Sequence, residues 1–108
     1  MKKFLILLSA LFVCHAASAG SLKSETIEDQ GLTRSYYIYL PNDLPANAPL
    51  VFILHGYGGN AQSYVNNSSL KFKELAEEYK VALCYPQATT DPRPNTGWNV
   101  YSQIRRSL

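Results

Sequence analysis

One stretch constrains this chain more than any other. Leu50-Val51-Phe52-Ile53-Leu54 is an unbroken apolar run that passes directly into His55-Gly56-Tyr57-Gly58-Gly59. A run of this length without alternation suits a strand covered on both faces, as in a parallel sheet flanked by helices. Glycines placed just after it let the backbone turn sharply and come close to a ligand. Downstream, Phe72, Leu75, Ala76 and Tyr79 recur at helical spacing and predict one apolar helix face. Val81-Ala82-Leu83-Cys84-Tyr85 is a second short apolar strand, ended by Pro86. Strand, helix and strand in that order form a crossover unit, which requires a parallel pair.

The flanking segments extend this frame. Arg34 to Leu40 is dominated by aromatic and β-branched residues and predicts a strand. Leu22 to Ile27 alternates weakly and predicts an edge strand, with Gln30-Gly31 turning the two into a hairpin. Pro41 to Pro49 holds three prolines with Asn and Asp between them, which marks a loop. Ser68 or Ser69 is placed to cap the helix, and Lys73 with Glu77 to pair along its exposed face. The sequons at Asn66 and Asn67 are read as chance matches leading into that cap, because the short Lys-Lys leader has a bacterial look.

The beginning of the chain reads as an export signal. Lys2 and Lys3 precede a short apolar run from Phe4 to Val13, and Ala17-Ser18-Ala19 offers a small-residue cut after Ala19. The run is too short to span a bilayer. Residues 1–19 are therefore expected to be a signal peptide and 20–108 a partial domain, secreted or periplasmic, with no membrane association after cleavage. Losing Lys2 and Lys3 leaves eight basic against eight acidic residues, a formally neutral chain without a basic stripe. Nothing there suits a nucleic-acid partner. Cys84 is the one cysteine after the leader, which implies a buried thiol or one that has lost its partner. No Cys/His cluster has metal-ligand spacing, and no cofactor or metal is expected. The 8 tyrosines are scattered rather than gathered in one stripe, which fits half-buried strand and loop positions.

The chemistry-bearing feature is the glycine-rich turn. Backbone N–H groups in such a turn can stabilise the oxyanion that develops in acyl transfer, one donor contributing about 3–4 kcal/mol. An ordinary tight turn is the competing reading of Gly56 to Gly59.

An ordered set of segments carries a resemblance. Arg34-Ser35-Tyr36-Tyr37-Ile38-Tyr39-Leu40-Pro41, Pro49 through His55-Gly56, Leu75-Ala76, Tyr85-Pro86 and Gly97-Trp98-Asn99 occur in this order. In this the chain resembles the secreted polyhydroxybutyrate depolymerase-like esterases, relatives of feruloyl and acetylxylan esterases, from Ser24 to about Val100. The resemblance implies an α/β class: the N-terminal half of an α/β-hydrolase sheet, strands in order 1-2-4-3 with one crossover helix, incomplete. It implies that the loop of His55, Gly56, Tyr57, Gly58 and Gly59 supplies part of the oxyanion hole. The Tyr57 backbone N–H would be the donor and His55 a structural residue. Trp98 would lie near the substrate cleft, or else be a packed indole with its N–H bonded. The implied substrate is a polyhydroxyalkanoate or plant-polysaccharide ester.

The chain departs from the pattern in one respect. No serine after the leader has the flanking glycines of G-x-S-x-G: Ser21, Ser24, Ser35, Ser63, Ser68, Ser69, Ser102 and Ser107 all lack them. The Ser-Asp-His triad is expected beyond Leu108, so the fragment by itself is expected to be inactive. Its central apolar strand should then present an open edge that favours instability or association. Two rival readings are a secreted non-catalytic module that holds a polymer with its tyrosines and Trp98, and a degenerate gene product.

Overall fold

The computed structural model describes residues 20–90 and 95–98. The proposed leader at 1–19 and the tail at 99–108 lie outside the described residues. Among the described residues, four strands form one mixed sheet in the order β1-β2-β4-β3. They are β1 (Ser21–Asp29), β2 (Leu32–Leu40), β3 (Leu50–Phe52) and β4 (Ala82–Pro86).

β1 and β2 are antiparallel, with the register running from Ser21↔Leu40 to Asp29↔Leu32. The loop between them is Gln30-Gly31, both at positive φ (49° and 76°). This is the geometry whose twist matches that of two antiparallel strands. β2 continues antiparallel onto β4, pairing Tyr37 with Tyr85 and Tyr39 with Leu83. β3 runs parallel to β4, pairing Val51 with Leu83. Bonds from Ala82 N–H to Pro49 O (2.9 Å) and from Ile53 N–H to Cys84 O (2.9 Å) extend that pair at either end.

The crossover holds more helix than the sequence pattern predicts. It contains α1 (Ala61–Asn66), a 3-10 turn (Ser68–Leu70) and α2 (Phe72–Tyr79). Asn60 caps α1, its Oδ1 accepting from Ser63 N–H at 2.8 Å. Ala61 and Val65, one turn apart, are its buried residues. That pairing after an Asn cap was the signal for α1, obscured by the polar residues around it.

Three local expectations are corrected. Ser68 and Ser69 do not cap α2; they lie in the 3-10 turn, where the Asn67 side chain accepts from Ser69 N–H, and α2 starts after a left-handed Lys71. Lys73 does not pair with Glu77; the salt bridges join Lys71 to Glu74 (3.4 Å) and Lys80 to Glu77 (3.7 Å). Of the expected helix face, Ala76 is buried and Phe72 half-buried, whereas Leu75 and Tyr79 are exposed.

The core lies between the helices and one face of the sheet. Tyr39, Ala61, Val65, Ala76, Leu83 and Tyr85 form it, with Tyr37, Ile53 and Phe72 packed against them. β4 is buried from Ala82 to Tyr85 because it has a strand on each side. β3 differs from expectation. Among the described residues it pairs on one side only, and Leu50 (47%), Val51 (41%) and Phe52 (61%) stay exposed. An apolar run specifies what a strand can tolerate, and the neighbours it receives decide whether it is buried.

Candidate functional site

The glycine-rich turn leaves the carboxyl end of β3 and meets the segment that leaves the carboxyl end of β4. In parallel sheets the carboxyl ends of adjacent strands are where ligands commonly bind. Here the two exits are tied together by His55. It is 2% exposed, and both ring nitrogens are engaged. Ala88 N–H donates to Nε2 at 3.0 Å, so Nε2 carries no hydrogen. Nδ1 therefore holds it and donates to Gly56 O at 2.8 Å. Neither nitrogen is left to shuttle a proton.

Trp98 closes the arrangement. Its indole N–H donates to His55 O at 2.7 Å, and the two rings lie 5.1 Å apart at 42°. The structure thus shows a packed, bonded indole at this position. Gly97 is buried beside it, and a Cβ there would come within 2.8 Å of the Tyr57 ring. Only a residue without a side chain lets Tyr57 lie against that backbone.

Two residues that the sequence analysis does not single out complete the scaffold. Gln87 accepts from Ala61 N–H (2.8 Å) through Oε1 and donates to Ala88 O (3.1 Å) through Nε2, joining β4 to the start of α1. Thr96 O accepts from Gly58 N–H at 2.7 Å, and the Thr96 hydroxyl donates to Gly59 O. The bonds from Gln87 to Ala61 and from Thr96 to Gly58 and Gly59 span 26 to 38 residues of sequence, so no local pattern announces them.

The turn itself is internally bonded. Gly58 carries φ of 75° and gives its amide to Thr96, while Gly59 gives its amide to Gly56 O at 3.1 Å. Those two amides are committed within the fold, so the turn has fewer donors to offer a substrate than its glycine count suggests. Tyr57 is at the tip and 65% exposed.

Other features bear on the rival readings. Tyr39 and Tyr85 are buried in the core, whereas Tyr57 and Tyr79 are exposed. Tyr85 hydroxyl ionisation is pushed up by burial. Cys84 is a free, buried thiol, also pushed up by burial and so poorly nucleophilic. Among the described residues no group of three or more His, Cys, Asp and Glu could hold a metal. A hollow of about 460 Å³ opens between α1 and α2, lined by Tyr64, Val65, Phe72, Lys73 and Tyr85 among others. None of its walls comes from the His55 turn or from the segment carrying Trp98. No described helix is long and apolar enough to cross a membrane.

No family model matches the chain. Acetylxylan esterase A of Talaromyces purpureogenus is 37% identical over 87 residues, covering 80% of this chain and 22% of that protein. Acetylxylan esterase A of Emericella nidulans is 30% identical, covering 95% of this chain and 36% of that protein. Among solved structures, the acetyl xylan esterase from Aspergillus awamori superposes with a TM-score of 0.53 at 32% identity, over 63% of this chain and 24% of that one. A Staphylococcus aureus fluorophosphonate-binding serine hydrolase superposes with a TM-score of 0.51 at 22% identity, which speaks to fold alone. The sheet and helices are those of the α/β-hydrolase-type esterases, as part of a domain. The chain spans between about a fifth and a third of the length of these curated relatives.

Proposed function

We propose that residues 20–108 are the N-terminal portion of an exported serine carboxylic-ester hydrolase, delivered by a signal peptide at 1–19. The substrate class would be an acyl ester on a polymer: an acetyl or feruloyl ester of plant polysaccharide, or a polyhydroxyalkanoate. The acetylxylan esterase relatives favour the polysaccharide ester. The part played by this chain would be the oxyanion loop, with the Tyr57 backbone N–H aimed at the developing oxyanion and Trp98 bordering the cleft.

The observation that carries this reading is the His55 clamp. A histidine with both nitrogens spent on the backbone, and its carbonyl held by Trp98, does no proton transfer. What it does is fix the path of the turn after β3. A donor for a transition state must be held in place before the charge develops, because reorganisation during the reaction would cancel its benefit. The nucleophile, its acid and its base would come from further polypeptide. Serine would attack the ester carbonyl, the alcohol would leave with a proton from the base, and water would then release the acyl group.

The test lies in the coding sequence after codon 108. Joined in one frame, a stretch encoding Gly-x-Ser-x-Gly should give a protein that hydrolyses p-nitrophenyl acetate and acetylated xylan. In it Tyr57→Pro, which deletes the amide hydrogen, should lower kcat by roughly 100- to 1,000-fold. Absence of such a stretch, or a joined protein without ester hydrolysis, would sink the proposal. The chain of 108 residues by itself should show no turnover.

A further inference from the structure

Gly20, the residue that would follow the proposed cut after Ala19, sits in a prepared site. Its backbone N–H donates to the Glu77 carboxylate and to the Tyr39 hydroxyl oxygen. Tyr39 in turn donates its O–H to Glu77 Oε1 at 2.7 Å. Asn42 N–H also donates to Glu77, and the Lys80 ammonium lies 3.7 Å from Oε2 while donating to Asn42 O at 2.9 Å. The site has room for glycine only. A Cβ at position 20 would lie 2.6 Å from Glu77 Oε1, 2.6 Å from the Tyr39 oxygen and 2.7 Å from Leu40 O, the last a backbone atom. One carboxylate on α2 thus gathers the start of β1, the end of β2 and the loop after it.

We propose that this cluster is a receptor for the α-ammonium group created when the leader is removed, so that cleavage itself locks the new terminus onto Glu77. This rests on the export reading above. Hydrolysis of the Ala19–Gly20 peptide bond by a leader peptidase consumes one water. It leaves Ala19 with the carboxyl group and Gly20 with an amine, which takes up a proton near neutrality because an α-amino group titrates at about 7.7–8.0. The nitrogen stays where the amide nitrogen is. It changes from one neutral donor to three charged ones facing a carboxylate already held ionised, chiefly by Tyr39. A hydrogen bond becomes an ion pair at the point where the edge strand begins. The uncleaved chain, like one cut upstream of Ala19, has the bond without the charge, and a cut beyond Gly20 leaves neither.

The groups facing the new ammonium are Glu77 from α2, Lys80 just after its end and Tyr39 from β2, with the polar Asn42 backbone beside them. Lys80 carries the same charge, but Glu77 lies within reach of both. Burial, and then the carboxylate, push Tyr39 ionisation up to about 12, so it remains a neutral donor throughout.

The experiment uses the exported protein. Intact mass and terminal sequencing should find Gly20 first. Acylation of its α-amine at pH 7 by an activated ester, read by peptide mapping against the lysines, should then run roughly three- to tenfold slower than in Glu77→Gln, the effect of half to one unit of raised amine pKa. A second form with one alanine inserted between Ala19 and Gly20, cut one residue earlier, keeps every side chain. Its terminus should react at the unprotected rate even if Glu77→Gln folds poorly. Equal rates in all three, with Gly20 first in the unaltered protein and in Glu77→Gln, would overturn the receptor and leave the export reading standing. A terminus at another residue would overturn the receptor, and an intact leader on the mature protein would overturn the export reading as well.

Discussion

The two edges of the sheet are opposites. β1 forms one edge and is exposed along its whole length, yet it holds a nine-residue register with β2. Its residues include Lys23, Glu25, Glu28 and Asp29, charges that discourage further pairing. β3 forms the other edge with three paired residues and no charge from Leu50 to Leu54. Its Leu50 and Phe52, with Leu54 beyond, lie on the face away from the helices and remain about half exposed. One edge has the composition of a border. The other has the composition of an interior strand. The difference shows that composition records the neighbours a strand suits, while the ladder shows the neighbours it has.

Substitutions can break or sharpen this contrast. The largest effect should come from the strand that supports both edges. Leu83→Ala on β4 should cost roughly 2–4 kcal/mol in a urea melt, since the side chain is 3% exposed and fills the core. Leu22→Ala on β1 should stay within about 0.5 kcal/mol. Comparable losses at the two positions would mean that β1 is more deeply packed than its exposure indicates.

Next comes the clamp on the β3 side. His55→Ala strands the Ala88 amide and removes the tie between the two strand exits, which should cost about 1–3 kcal/mol. Hydrogen exchange should speed up at Ile53, Gly58 and Ala88 while the β1–β2 amides keep their protection. Uniform loss of protection would show that the two edges unfold as one.

The third effect is on association. The chain should self-associate through β3, and Phe52→Lys should shift the association by about tenfold in concentration in sedimentation runs, placing a charge on the open edge. Ile27→Lys, on the edge that already carries charge, should change nothing. A compact monomer at high concentration would contradict the reading of β3 as an unprotected edge.

The smallest effect concerns the hairpin turn. Gln30 has φ of 49°, a conformation that asparagine adopts more readily. Gln30→Asn should stabilise by about 0.5 kcal/mol and leave β3 untouched.

Much of this architecture was legible because it is local. The Gln30-Gly31 turn, the β2 strand, the Phe72–Tyr79 helix and the β4 strand each follow from a turn signal or a periodicity within a few residues. The strand order β1-β2-β4-β3 came from the resemblance carried by the ordered segments. α1 was hidden because only Ala61 and Val65 mark its buried side. The helix cap and the ion pairs were misplaced because several nearby polar residues could serve, and backbone turns at Lys71 and Lys80 chose among them. In the candidate site the sequence singled out His55, Gly56, Tyr57, Gly58, Gly59 and Trp98. It did not single out Gln87 or Thr96, whose hydrogen bonds reach across dozens of residues.

By itself, then, the sequence determined the strands, the helix α2, the hairpin turn and the position of the glycine-rich bend. These depend on backbone preference and on the periodicity of apolar side chains, both properties of short segments. The tertiary structure alone decided that His55 spends both nitrogens on Gly56 and Ala88, that Trp98 faces inward to His55, and that Glu77 gathers Gly20, Tyr39 and Asn42. Each of those is a hydrogen bond between distant segments, and its existence depends on where the packed core sets the two backbones, which no short stretch of residues encodes.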